Sequence, residues 1–394
     1  MPSSIHIVNG RIITPDGIIP GNLLITGNSI SRIHKDPISI SGSLEIDAKG
    51  NYVSPGFIDL HVHGGGGADF MDGTVDAFLT AAGTHARHGT TSMLPTTTSS
   101  SREELLQILE VYKKAAPENK NGAGFLGLHL EGPYLSPHQR GAQDPRFLRD
   151  PDPEEYEDIC NRSSDIRRWS AAPELPGALE FGRYLRRHNI IAALAHTDAV
   201  YEEARKGFEN GYTLATHFYS CMTGVTRRNG HRYAGVVECA YLTDGMDVEI
   251  IADGVHLPEA LLKLVYKIKG AERTALITDA MRAAGTDVKK SVLGSLSNGL
   301  DVIVEDGVAK LPDRSAFAGS VATADRLVRT MIRSAGVPLA EAVRMMSATP
   351  ARILGIEGQK GILKEGMDAD IIIFDEQISI QTTLVRGKII FQRD

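Results

Sequence analysis

The sequence predicts an α/β fold, a (β/α)8 barrel with a small β-sandwich domain formed by both termini. Eight short apolar runs recur through the middle of the chain: FIDLHVH, TTSMLPT, GFLGLHLEG, RRWSAAPE, IIAALAHT, TLATHFY, VEIIADGVH and TALITDA. Helix-length segments such as SREELLQILEVYKKAA and PEALLKLVYKIKG separate them, the alternation expected of parallel strands joined by crossover helices. The two ends of the chain also echo each other, with VNGRII near the start and VRGKII near the finish.

Taken in order, residues 1–53 and 357–394 form the terminal domain. VNGRII and VRGKII each read as a hairpin, a β-branched run broken by a two-residue turn containing glycine. GNLLITGNSISRI and GMDADIIIFD add further short strands. Residues 54–356 form the barrel, closed by the helical segments FAGSVATADRLVRTMIRSAG and AEAVRMMSATPARILG. In such a barrel the chemistry sits at the carboxyl ends of the strands.

Composition narrows the function. The chain has 394 residues, 42% hydrophobic and 23% charged, enough to bury a large core. Its 42 basic and 49 acidic residues leave a formal charge of -7, which argues against nucleic acid or a membrane as partner. A phosphorylated small molecule stays compatible, because a few local cations suffice for it. MPSSIHIVNG has no cationic segment leading into an apolar one, and no run approaches the roughly 18 residues of a membrane span. The three cysteines, Cys160, Cys221 and Cys239, form no CxxC pair and read as reduced thiols, so a cytoplasmic location is expected.

The polar residues gather at the strand ends. His61 and His63 are two apart on one strand and therefore face the same side, and four glycines follow where the chain must turn. The third strand ends in Glu131, the fifth in His196, the sixth in His217, the seventh in His256 and the eighth in Asp279. A single strand histidine is usually a packing residue, but five histidines and two carboxylates on one rim are a ligand set for zinc and related divalent ions. His129 shares the face of Glu131 at a deeper level and reads as a residue that orients a ligand. His85 and His88 fall on a helix and read as surface or packing residues. GGGG lacks the lysine of a phosphate-binding loop.

PGFIDLHVHG, HLEGPYLSP, AHTDA, THFYSCM, DGVHLP, LITDAM and FAGS, in this order along nearly the whole chain, resemble the N-acetylglucosamine-6-phosphate deacetylases of the amidohydrolase superfamily. The resemblance implies a metal centre in which Glu131, taking the place of a modified lysine, joins His196 and His217 on one ion. It implies that Asp279 is the catalytic carboxylate, and that His61 and His63, with Asp279 and bridging Glu131, can hold a second ion. Zinc is the expected metal, one or two ions per chain, with iron, cobalt or manganese accepted by the same ligands. A homodimer is implied as well. The expected reaction converts N-acetylglucosamine 6-phosphate and water to glucosamine 6-phosphate and acetate, with His256 hydrogen-bonding the substrate.

Two departures from the family pattern concern the substrate. Ser220 and Cys221 stand where asparagine and alanine are common, and Gln143 where histidine is frequent; all three positions are expected near the sugar. A cation cluster, TGVTRRNGHRYAG, offers Arg227, Arg228 and Arg232 for phosphate; HRYAG resembles the HRxxG whose arginine contacts it. These departures leave open a deacylase of another N-acyl amino sugar or N-acyl amino acid. A ring-opening amidase and a non-catalytic scaffold fit the rim residues less well.

Overall fold

A parallel barrel organises the protein, seen here as a computed structural model that describes residues 4–36 and 42–393, the side chain of Arg228 excepted. Its strands are β1 (Phe57–Val62), β2 (Thr90–Thr97), β3 (Leu128–Glu131), β4 (Ile166–Ala171), β5 (Ile191–Leu194), β6 (Tyr212–Ala215), β7 (Asp247–Ile250) and β8 (Thr274–Leu276). Each falls on one of the eight apolar runs, and successive strands pair in parallel around the barrel. Closure comes from the segment after β8. Val62 bridges Ala280, the Asp279 N–H donates to the His61 carbonyl at 2.9 Å, and the His63 N–H donates to the Ala280 carbonyl at 2.8 Å.

Strands buried on both faces explain why the apolar runs are continuous instead of alternating: every residue of β1 and β2 is buried. Their outer faces meet helices whose apolar stripes supply Phe78, Leu105, Leu109, Phe181 and Leu185 to the main core. Local signals start those helices. The helix Arg102–Glu118 opens with a capping box, in which the Ser101 hydroxyl accepts from the Glu104 N–H and the Glu104 carboxylate accepts from the Ser101 N–H. The lumen itself is polar. Fully buried Arg168 on β4 donates to both carboxylate oxygens of Glu249 on β7, at 2.7 and 2.5 Å, and also to Leu60 O and Thr216 Oγ1. A charge in that place is tolerable only because so many acceptors surround it.

The chain ends build one mixed eight-stranded sheet. Tyr52–Pro55 from the front pairs antiparallel with Ile371–Phe374 from the back. One side of the sheet covers its own cluster, including Ile5, Ile7, Ile12, Val53 and Leu384. Ile13, Ile372 and Phe374 join the barrel core, so the sheet is seated on the barrel.

The two hairpins expected from the terminal echo have different fates. VRGKII turns at Arg386 and Gly387, both at positive φ (46° and 74°), with Val385 opposite Lys388. VNGRII does not turn. Ser4–Thr14 is one strand, and the chain reverses only after Thr14, which faces Gly17. Asn9, at φ 56°, makes a β-bulge instead, its N–H held by the Asn22 side chain at 3.1 Å. Gly10 serves close packing, since a Cβ there would lie 2.5 Å from Val53 Cγ2. The bulge changes the inward parity from Ile5 and Ile7 to Ile12.

Candidate metal centre

The end of β1 places His61 and His63 side by side, with their Nε2 atoms 3.0 Å apart. The glycines after them fold straight back, Gly64–Gly65 pairing with Ala68–Asp69. A Cβ on Gly64 would sit 2.2 Å from the Ala68 carbonyl oxygen. His85, on the helix Val75–Ala86, is fully buried, and its Nε2–H donates to Gly64 O at 2.9 Å. That histidine therefore anchors the turn. His88 pairs with Asp325 at 3.2 Å.

Glu131 ends β3, while His196, His217 and Asp279 lie just beyond β5, β6 and β8 in left-handed backbone, at φ 46°, 31° and 47°. Residues other than glycine held there cost of order 1–3 kcal/mol each, so the surroundings must over-determine them. Backbone bonds do this: the Phe218 N–H donates to Glu249 O at 2.6 Å, and the Ser320 N–H to Asp279 O at 2.7 Å.

Two compact groups result: His61, His63 and Asp279, and Glu131, His196 and His217. Glu131 lies between them. Its Oε1 is 3.0 Å from His217 Nε2 and 3.4 Å from His196 Nε2, while its Oε2 is 3.4 Å from His63 Nε2. Asp279 Oδ1 is 3.1 Å from His63 Nε2 and 3.4 Å from His61 Nε2. Four imidazole nitrogens and two carboxylates thus converge within a buried space.

This donor set fits a divalent cation. His196 donates its Nδ1–H to Gln139 O at 2.8 Å, which leaves Nε2, facing Glu131, as the atom available to a metal ion. The Nδ1 atoms of His61, His63 and His217 are buried without a hydrogen-bond partner among the described residues. Electrostatics agree. Burial drives the His61 ring down to about 3 against the pull of Glu131 and Asp279. At His63 burial also opposes charge, but hydrogen bonds to Asp279 and Glu131 outweigh it and lift the ring to about 10. Burial likewise works against ionisation of Glu131 and Asp279, yet the surrounding histidines hold both below the usual carboxylate range. The buried carboxylates demand positive charge, which a proton on His63 or a metal ion can supply.

A cavity of about 500 Å³ opens over these ligands. His256 lines it and donates its Nδ1–H to Asp253 Oδ2 at 2.8 Å, leaving Nε2 to meet a ligand. Ser220, Cys221 and Gln143 line it too. Arg227 and Arg232 do not. They face each other across an exposed hairpin, Thr226–Arg228 with His231–Tyr233, and neither is part of the cavity wall. The side chain of Arg228 lies outside the described residues. His129 makes no hydrogen bond to a metal-ligand candidate among the described residues; it sits between Ser170 Oγ (2.7 Å) and Thr96 Oγ1 (3.3 Å), its ring edge-on to His61 at 4.7 Å.

Two residues of the site, Arg140 and Asp253, carried no expectation from the sequence. Arg140 is a cation in the cavity wall, and Asp253 orients His256. Asp253 stands in the same DGVH run as His256 and could have been found by its spacing; Arg140, in a loop without periodicity, carried no signal.

Barrel, rim ligands and cavity together define a metal-dependent hydrolase. Residues 52–390 match the amidohydrolase family, and the chain belongs to it. It is 34% identical over 388 residues to N-acetylgalactosamine-6-phosphate deacetylase of Escherichia coli O157:H7, covering 98% of this chain and 99% of that one. It is 36% identical over 338 residues to N-acetylglucosamine-6-phosphate deacetylase of Vibrio furnissii, covering 86% of this chain and 82% of that one. The crystal structure of N-acetylglucosamine-6-phosphate deacetylase from Pasteurella multocida superposes with a TM-score of 0.91 at 30% identity, covering 98% of this chain and 99% of that one.

Proposed function

We propose that the chain hydrolyses the acetamide of N-acetylglucosamine 6-phosphate to glucosamine 6-phosphate and acetate, using a divalent metal, zinc foremost. The observation that carries this reading is Glu131, grouped with His196 and His217 and lying beside His61, His63 and Asp279, at a cavity that His256 also lines. Glu131, His196 and His217 would hold the tighter ion, and His61, His63 and Asp279 a second. Such an ion, when bound, lowers the pKa of water from about 15.7 to near 7 and polarises a carbonyl.

The chain's own groups do the rest. Asp279, ionised and facing the cavity, accepts a proton as water adds to the acetamide carbon. It then delivers that proton to the nitrogen as the C–N bond breaks, a general base turned general acid. His256, braced by Asp253, meets the substrate through Nε2. Ser220 and Cys221 border the space for the sugar. Arg232 and Arg227 are the phosphate candidates. They lie outside the cavity of their own chain, and their hairpin follows exposed Val225 and includes exposed Tyr233, so a homodimer in which they serve the partner's cavity accounts for both features. No helix among the described residues is long and apolar enough to cross a membrane, and a cytoplasmic place is proposed on the reduced cysteines.

The relative that acts on N-acetylgalactosamine 6-phosphate, matched over 98% of this chain, favours a second reading in which the 4-epimer is the preferred sugar. Acetate release from both 6-phosphates and from the two unphosphorylated sugars tests the assignment. Fastest turnover of the glucosamine derivative is expected. Equal rates with and without phosphate would sink the substrate assignment, and a galactosamine preference would install the second reading.

A further inference from the structure

Glu131 has two carboxylate oxygens with different neighbours, and something must keep them apart. Oε1 faces His217 and His196 at 3.0 and 3.4 Å, with His61 farther off at 3.6 Å, and Oε2 faces His63 at 3.4 Å. A free carboxylate rotates easily about its last torsion, whose wells are broad. The residue that touches Oε2 most closely is Gln143, whose Nε2 donates to it at 2.7 Å. The other end of the same amide, Oε1 of Gln143, accepts the backbone N–H of Ser99 at 2.8 Å. Both contacts demand one orientation, because only the amide oxygen can accept from an N–H and only the amide nitrogen can donate to a carboxylate. The backbone of Gln143 is tied as well: its N–H donates to Arg140 O at 2.8 Å, and its carbonyl accepts from Arg140 Nη1 at 3.3 Å. With the side chain buried, the amide has no alternative partner in water.

We propose that Gln143 is a positioning residue for the metal centre: anchored by Ser99, it holds Glu131 with Oε1 toward His196 and His217 and Oε2 toward His63. A carboxylate oxygen has two lone pairs, so Oε2 can accept from Gln143 and still ligate an ion beside His63. Glutamine suits this task because it donates without bringing a charge into a place already crowded with titratable groups. The residue expected from the sequence to border the sugar thus acts on the metal through Glu131. The inference rests on the metal-centre reading but not on which amino sugar is the substrate.

Two variants test it, Gln143→Ala and Gln143→Glu. The glutamate variant keeps the shape and the Ser99 contact but sets a second carboxylate against Glu131, so it remains informative if the alanine variant folds poorly. Metal-stripped protein would be titrated with zinc against a chromophoric chelator, and the cobalt-loaded forms compared by visible absorption. Removing an outer partner of a metal ligand typically weakens metal binding by about 10–100-fold. Gln143→Ala should show that loss, and Gln143→Glu a shifted affinity because its added charge repels Glu131 and attracts the ion, each with an altered cobalt spectrum and, at saturating metal, a fall mainly in kcat. Metal affinity and cobalt spectrum unchanged in both variants, with the defect confined to KM, would overturn the proposal and make Gln143 a substrate contact only. A parent protein that binds no metal would overturn the metal centre itself, a failure visible without any variant.

Discussion

Asp279 and His63 share a contact of 3.1 Å, and the proposed roles of proton acceptor and metal ligand both fall on that one carboxylate. Asp279→Asn keeps the shape of the side chain and removes its basicity. Turnover should fall by about 10²–10⁴-fold, the usual contribution of a positioned acid–base group, while substrate still binds. Metal content must be measured on the same sample, and a loss below tenfold with metal unchanged would remove Asp279 from this role. The histidines differ among themselves. His196 contacts Glu131 Oε1 and is locked by Gln139, so His196→Ala should abolish tight metal binding and activity together. His61 belongs to the other group, and His61→Ala should leave one ion and partial turnover. Full metal content and full rate in the His196 variant would refute the division into a tighter and a weaker site.

Elements hold these residues in place through turns and helix ends. The fold-back at Gly64 is tight enough that an added methyl meets main chain, not a movable side chain. Overpacking of this kind costs typically 1–3 kcal/mol. Gly64→Ala should lower the thermal unfolding midpoint and displace His63, with metal affinity as the second readout; an unchanged midpoint would show the turn to be slack. Helix Ala324–Arg333 offers a pH test away from the site. Burial pushes the Asp325 carboxyl up, but His88, Thr323 and Arg329 outweigh it and hold it at about 2, against 3.8 for the free group. A depressed folded pKa stabilises the protein above the unfolded value and loses that stabilisation as pH falls through the folded one. The difference is worth about 2 kcal/mol at neutral pH. Asp325→Asn should therefore be less stable than the parent at pH 7, with the gap closing between about pH 5 and pH 2. A gap that stays constant over that range would contradict the assignment.

At the scale of the whole molecule, the cavity gathers the metal-ligand candidates, Asp279 and Arg140, while Arg227 and Arg232 stay on an exposed hairpin. An arginine's planar fork matches phosphate oxygens, and losing such a contact costs about 1.5–3 kcal/mol, or about 10–100-fold in affinity. Arg232→Ala should raise KM for the 6-phosphate substrate by that order and leave the unphosphorylated sugar nearly untouched. If the arginine serves a partner's cavity, mixing Arg232→Ala with Asp279→Asn subunits should restore activity, because some mixed dimers contain one intact cavity and one intact arginine facing it. No recovery on mixing, with a dimer present, would confine the arginine to its own chain.

By itself the sequence determined the strand positions and which polar residues gather at the strand ends. Burial on both faces writes eight apolar runs, and residues at strand ends such as His61, His63 and Glu131 are legible because strand geometry is periodic. Tertiary structure decided what periodicity cannot carry. His196, His217 and Asp279 reach the centre through left-handed turns beyond their strands, conformations set by distant backbone partners such as Glu249 and Ser320. VNGRII became a bulge and not a hairpin because Asn22 and Val53, from other strands, occupy its surroundings. Gln143 lines the cavity yet turns its amide nitrogen to Glu131, because the Ser99 N–H holds its amide oxygen. Local pattern reports which way a side chain points within its own element; which group it meets depends on elements that the pattern does not contain.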